Sequence, residues 1–195
     1  MTFFRRLFSV WCVVGLFVVI QTGWSLAHAD QIVSVEPVVR NGQLYIDADV
    51  DIYVDPELRQ AAEKGMPLYF TADLEIVADR WWWFDKVLAN EQQTFRLSYN
   101  VLTRQWRVGA GDLTLPEATF EDALAYVKHI RGWAVAPADA FETGKEYSGR
   151  LRLRLDTSRL PRPFRIDSFN SSVWSIVTPW KDFLFSISPQ TPDPS

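Results

Sequence analysis

Cysteine is all but missing from this chain. Cys12 is the single one, inside an apolar N-terminal stretch, and the 195 residues hold only two histidines, His28 and His129. Once that N-terminal stretch is removed, no disulfide can form and packing alone must hold the chain together. One remaining histidine and no cysteine exclude a His/Cys metal site within one chain. The nine glycines compose no GxGxxG, no GKS/T and no GxSxG, so neither a phosphate-cradling loop nor a nucleophile elbow is present. A basic excess is lacking too. Lys and Arg number 20 against 24 Asp and Glu, a net charge of −4. That balance argues against nucleic acid or an anionic membrane surface as a generic partner.

Residues 1–29 have the layout of a secretory signal peptide. Arg5 and Arg6 form a positive start, Leu7 to Ile20 is an apolar run of about 14 residues, and Ala27-His28-Ala29 is an A-x-A cleavage signature. The apolar run is shorter than the roughly 20 residues that span a bilayer. Export with cleavage after Ala29 is therefore expected, with a retained inner-membrane anchor as the alternative; only then would the protein touch a membrane. N-terminal sequencing of protein from cells decides it: Asp30 first supports cleavage, Met1 first supports the anchor. Cleavage removes two arginines, no acid, and two of the nine tryptophans, leaving a more acidic chain.

The stretch from Pro67 to Lys86, PLYFTADLEIVADRWWWFDK, organises the remainder. Leu68, Phe70, Ala72, Leu74, Ile76 and Ala78 share one parity and Tyr69, Thr71, Asp73 and Glu75 the other, the pattern of a long half-buried strand. Its length predicts a bulge or bend near Asp79. Upstream, Ile32 to Val39 reads as an edge strand because of Pro37, Asn41-Gly42 as a hairpin turn, and Gln43 to Val54 as an alternating strand. Asp55 and Pro56 open a helix over about 56–64 that Gly65 stops. Asn90 to Gln93 reads as a turn, and Thr94 to Val101 with Arg104 to Val108 as a hairpin. A second helix is predicted over 119–131, capped by Thr119 and closed by Gly132, with Phe120, Ala123, Leu124, Val127 and Ile130 on one face. From Tyr147 to Asp156, leucines alternate with Arg150, Arg152 and Arg154. Phe164 to Ile187 reads as one or two closing strands, and residues 189–195 as a disordered Pro-rich tail. The pattern predicts one mainly β domain over 30–188. It is expected to be a single antiparallel β-sandwich, immunoglobulin-like or similar, with two inserted helices. An open sheet packed on the longer helix is the alternative.

The segments GMPLYFTADLEI, RWWWFD, LSYNVLTRQWRV, FEDALAYVKHI, YSGRLRLRLDTSRLPRPFRI and SSVWSIVTPWKDFLFSI, in that order, resemble a family of exported bacterial proteins. The family is catalogued as a domain of unknown function and often labelled proline-rich signal peptide protein. The resemblance implies a periplasmic location in Gram-negative bacteria and an association with a nitrogen-regulatory type of sensor histidine kinase. It implies no catalytic residues and no cofactor.

Three groups of residues bear on chemistry. Asp47, Asp49 and Asp51 place carboxylates about 7 Å apart on one strand face. They lack the glycine and glutamate of a calcium loop, and Ile52 and Leu58 stand at those positions. Arg150, Arg152 and Arg154 match that row in spacing and oppose it in sign, so the two rows are expected to be neighbours. Any Ser-His-acid triad must use His129, read here as a solvated side chain near a helix end. The remaining candidate is an interaction surface formed by Arg80, Trp81, Trp83 and Asp85, with one of the two tryptophans structural and one partly exposed. Two functions compete. One is a non-catalytic periplasmic interaction module that binds an envelope protein or the extracytoplasmic part of a sensor kinase. The other is a carbohydrate-binding or carbohydrate-cleaving domain with a tryptophan platform. A flat or convex apolar patch favours the first, and an open cleft with Trp and a carboxylate pair the second.

Overall fold

The chain opens on a hairpin: β1 (Gln31–Arg40) and β2 (Gln43–Asp51) turn through Asn41 and Gly42, both at positive φ (51° and 73°). That is the two-residue turn whose twist suits antiparallel strands. The computed structural model describes residues 29–78, 86–160 and 172–188. β7 (His129–Pro137) adds to the far side of β2 and completes a three-stranded antiparallel sheet, β1-β2-β7. On β2, Leu44, Ile46, Ala48 and Val50 are buried while Tyr45, Asp47, Asp49 and Asp51 lie on the wetter face.

The larger sheet has six strands among the described residues. They are β3 (Leu68–Ala78), β4 (Lys86–Asn100), β5 (Gln105–Ala110), β6 (Leu115–Glu117), β8 (Glu146–Leu155) and β9 (Lys181–Ser186), in the order β6-β5-β4-β3-β8-β9. The organising strand, β3, is central. Leu68, Phe70, Ala72, Leu74 and Ile76 are almost wholly buried, and so are Leu151, Leu153 and Leu155 of β8 beside it. These side chains meet those of β2 in one hydrophobic core between the sheets. A register shift falls between Ile76 and Val77, short of Asp79, which lies outside the described residues.

Two helices are inserted in the connections. α1 (Pro56–Glu63) follows Asp55, whose side chain accepts from the Glu57 amide, and buries Leu58 and Ala62. α2 (Phe120–Lys128) is capped by Thr119, which accepts from the Asp122 amide at 3.0 Å. Arg59 of α1 pairs with Glu121 of α2 and lies 5.0 Å from the Phe120 ring centroid. This mainly β, two-sheet architecture with two inserted helices is the one the sequence predicts. Among the described residues no helix is long and apolar enough to cross a membrane.

The structure corrects three local expectations. The second helix ends at Lys128 instead of Arg131, and His129–Pro137 is strand. Ile130 fits the helical stripe and a strand alternation equally well. The free edge of β2 decides, because it needs a ladder partner, and Ile130 and Trp133 pair with Ala48 and Ile46. Asn90 to Gln93 is not a turn but part of the unbroken β4, paired with Ala72 to Glu75. The strand β6 was not anticipated at all. Its three residues, LPE, are too few for periodicity to register.

Candidate functional site

On the outer face of the six-stranded sheet, β3 and β8 oppose acids to arginines. Register places Asp73 beside Arg152 and Glu75 beside Arg150. Arg150 donates through Nε and Nη2 to Glu75 Oε2, at 3.1 and 2.7 Å. Arg152 Nε and Arg154 Nε both donate to Asp73 Oδ2, at 2.9 and 3.0 Å, and Gln92 of β4 donates to Oδ1 at 2.8 Å. Asp73 is buried, and a buried carboxylate is tolerated when charge-assisted bonds satisfy both oxygens, as here. Asp156 continues the network with Arg154 and Arg159. Burial pushes its carboxyl up, but the Ser158 and Arg159 hydrogen bonds and the Arg154 charge hold it below the ordinary carboxylate range.

Trp180 completes this face. Residues 176–178 run along β8, with Thr178 N–H donating to the Leu153 carbonyl at 2.9 Å. Pro179 has no N–H for the ladder, the edge breaks there, and β9 resumes at Lys181 opposite Leu151. The Trp180 ring centroid then lies 4.8 Å from the Arg150 guanidinium carbon and 4.5 Å from that of Arg152, within cation–π range.

A cleft of about 720 Å³ opens on the same face, lined by Glu75, Val77, Ser148, Arg150, Asp182 and Leu184 among others. Val87, opposite Val77 in register, and Leu184 are exposed apolar side chains at this end. The face thus grades from an ion-paired, ring-stacked centre to an apolar margin where β3 and β4 reach Ala78 and Lys86.

Arg80, Trp81, Trp83 and Asp85, the surface candidates from sequence, lie outside the described residues, as do residues 1–28 and 189–195. The expectation that the arginine row neighbours Asp47, Asp49 and Asp51 is overturned, because the two rows sit on different sheets. The aspartates find partners within their own sheet. Asp47 pairs with Arg40 and accepts from the Gly132 amide, and Lys128 pairs with Asp51. Asp49 accepts from Ser34 and Arg131 and bonds His129 Nδ1 at 2.8 Å. The His129 and Arg131 bonds hold the Asp49 carboxyl down to about 2. A nucleophilic triad needs its hydroxyl on the imidazole nitrogen away from the acid. Here Ser34 Oγ bonds the acid instead, at 3.1 Å, so this cluster is a strand-to-strand tie and not a triad.

Sequence reading missed Trp180. Its signal was the Pro-Trp pair beside an alternating arginine strand, which becomes meaningful only once β9 is known to flank β8. The fold and this face define a two-sheet, mainly antiparallel β protein with a charged, ring-stacked outer surface. Residues 27–184 match the family described as a domain of unknown function, DUF4390, and the chain belongs to it. No curated protein and no solved structure matches the chain.

Proposed function

We propose that the protein is a non-catalytic interaction module of the bacterial envelope that takes a protein partner on the outer face of β3, β8 and β9. The observation that carries this reading is the continuity of that face. The Arg150–Trp180–Arg152 stack adjoins a cleft near which Val87 and Leu184 are exposed. Aromatic and arginine side chains are enriched among the anchors that protein interfaces use. The family resemblance supports an envelope partner, with the extracytoplasmic part of a sensor kinase as one candidate. Export to the periplasm is part of the same reading.

Leu184→Asp and Val87→Asp test it. Both positions are exposed, so stability should change by no more than about 0.5 kcal/mol. Partner capture from envelope extract, and photocrosslinking from position 184 in cells, should fall at least about tenfold. Unchanged capture by the stable double variant would remove this face from consideration.

The carbohydrate reading has one observation in its favour: Trp180 and two carboxylates, Glu75 and Asp182, stand on one face near one cleft. A glycosidase needs one of its carboxyls to donate a proton. Glu75, held by two guanidinium N–H groups, is poorly suited to that. Glycan capture abolished by Trp180→Ala and untouched by Leu184→Asp would select this reading over a protein partner.

A further inference from the structure

A polar cleft of about 490 Å³ lies on the outer face of the six-stranded sheet, where β4 meets β5. Register sets its floor: Arg96 stands opposite Gly109, and Ser98 opposite Arg107. Phe95, Leu97, Trp106 and Val108 take the buried parity, so the two arginines share the solvent face. They are diagonal neighbours, about 7–8 Å apart along the backbone and within mutual reach of long side chains. The loop after β5 supplies one wall. Its backbone crosses so close over Gly109 that a Cβ there would stand 2.0 Å from the Leu113 carbonyl oxygen. Tyr99, which also lines the cleft, has its ring centroid 5.0 Å from that of Trp106.

The charge here is unlike that elsewhere in the chain. Among the described residues, every arginine apart from Arg96, Arg104 and Arg107 is paired with a carboxylate. Those three all belong to the β4–β5 hairpin, and none has an ion-pair partner among the described residues. No acid lines the cleft, although acids outnumber Lys and Arg by 24 to 20 in the sequence. Asp112, in the loop itself, is exposed and outside the lining. Like charges set close together on a sheet destabilise it, so the pair calls for a counter-charge from elsewhere. The other polar groups can donate as well. Asn100 Oδ1 already accepts from the Leu102 and Thr103 amides, at 3.0 and 3.2 Å, so its side chain has the NH2 left to offer. Ser98 and Thr114 add hydroxyls.

We propose that this cleft binds the phosphate monoester group of a small polar molecule or of a lipid headgroup. An oxyanion seated between the two guanidiniums replaces their repulsion with charge-assisted hydrogen bonds. Each guanidinium fork engages two oxygens. A phosphate monoester has three terminal oxygens and can serve both forks at once, whereas a carboxylate has two and serves one. The volume also leaves room beyond the phosphate, since a water takes only about 30 Å³ in the liquid. A hydroxylated body of sugar or glycerol size suits the amide and hydroxyls of Asn100, Ser98 and Thr114. Val101 and Leu102 are exposed at the adjoining turn, which makes a lipid a second source of the same group. Strand β3 separates the cleft from the β8–β9 surface, and the proposal does not depend on the partner reading.

Glucose 6-phosphate, glucose and acetate are the soluble probes, titrated at low salt into the protein as purified from the producing cell. Glucose 6-phosphate should give saturable amide chemical shifts at residues 96–100 and 107–114. Glucose should give none, and acetate should bind at least about tenfold more weakly. The double variant Arg96→Gln, Arg107→Gln, folded by circular dichroism, should lose at least about tenfold in affinity for glucose 6-phosphate. Arg40→Gln removes the same charge from the other sheet and should leave that affinity within about twofold. Co-sedimentation with phosphatidylcholine vesicles, with and without phosphatidic acid, separates the two sources. Binding that needs phosphatidic acid and both arginines assigns the group to a lipid, and binding of glucose 6-phosphate alone assigns it to a soluble ligand. Saturation by neither source overturns the proposal, and so does acetate binding as tightly as glucose 6-phosphate. Equal losses in the double variant and in Arg40→Gln overturn it too, because they would show a general charge effect. The comparison of probes on the unaltered protein decides the matter even if the double variant fails to fold.

Discussion

Gly109→Ala is expected to destabilise the protein by about 3 kcal/mol, toward the upper end of the range for overpacking. A Cβ at this position would stand 2.0 Å from the Leu113 carbonyl oxygen, 3.0 Å from its carbonyl carbon and 3.1 Å from Thr114 Cα. All three are backbone atoms, so no side-chain rotation relieves the overlap. The turn from β5 into β6 must open, and β6 has only three residues with which to hold its ladder. Trp106 of β5, packed 5.0 Å from Phe120 of α2, would be disturbed with it. At about 2–4 °C per kcal/mol for a chain of this size, the melting temperature should fall by roughly 6–12 °C. Gly149→Ala is the instructive comparison. Its Cβ would lie 2.3 Å from the Phe183 ring, but that obstacle is one side chain on an edge strand, which can swing away. Thermal melts of the two variants should therefore rank Gly109→Ala well below Gly149→Ala. Equal midpoints would mean that the β5–β6 turn yields more easily than its geometry indicates.

How much of this was legible beforehand depends on which physical constraint acts locally. The alternations of β2, β3 and β8 were readable because each strand has one face in the core and one toward water. The Asn41-Gly42 turn and the Thr119 cap were readable because positive φ and an orphan amide each call for particular side chains. Ion-pair assignment failed for a different reason. Asp73 and Glu75 were visible on the outer parity of β3, and the arginines on β8, but spacing and sign alone fitted Asp47, Asp49 and Asp51 just as well. Only strand order decides, and strand order comes from how the sheets close on the core. Asn90 to Gln93 is the more useful error. Polar residues at core parity look like a turn when every strand is assumed to bury only apolar groups. Gln93 breaks that assumption, because it holds a core-parity position of β4 opposite the buried Ala72.

Asp73→Ala is expected to cost about 3 kcal/mol through a distinct mechanism. The residue is only 7% exposed, and its carboxylate joins Arg152, Arg154 and Gln92 across three neighbouring strands. Deleting it leaves two guanidiniums side by side on one face of β8 with their shared counter-charge gone. Breaking a buried pair by removing one partner typically costs about 3–5 kcal/mol. The lower end applies here, because the arginine side chains are 34% and 27% exposed and water can replace part of what is lost. Asp73→Asn, which keeps the shape and one acceptor, should lose about half as much, in line with hydrogen bonds to charged groups. Glu75→Gln is the control. Its partner Arg150 is 48% exposed, and a surface pair of this kind contributes about 0–1 kcal/mol. Urea unfolding should then order the midpoints as Glu75→Gln, Asp73→Asn, Asp73→Ala, from highest to lowest, with unchanged denaturant slopes. An Asp73→Ala midpoint level with that of Glu75→Gln would show that the arginines find other partners when the aspartate is removed. The outer face would then be an adaptable charged surface and not a rigid platform held from β3.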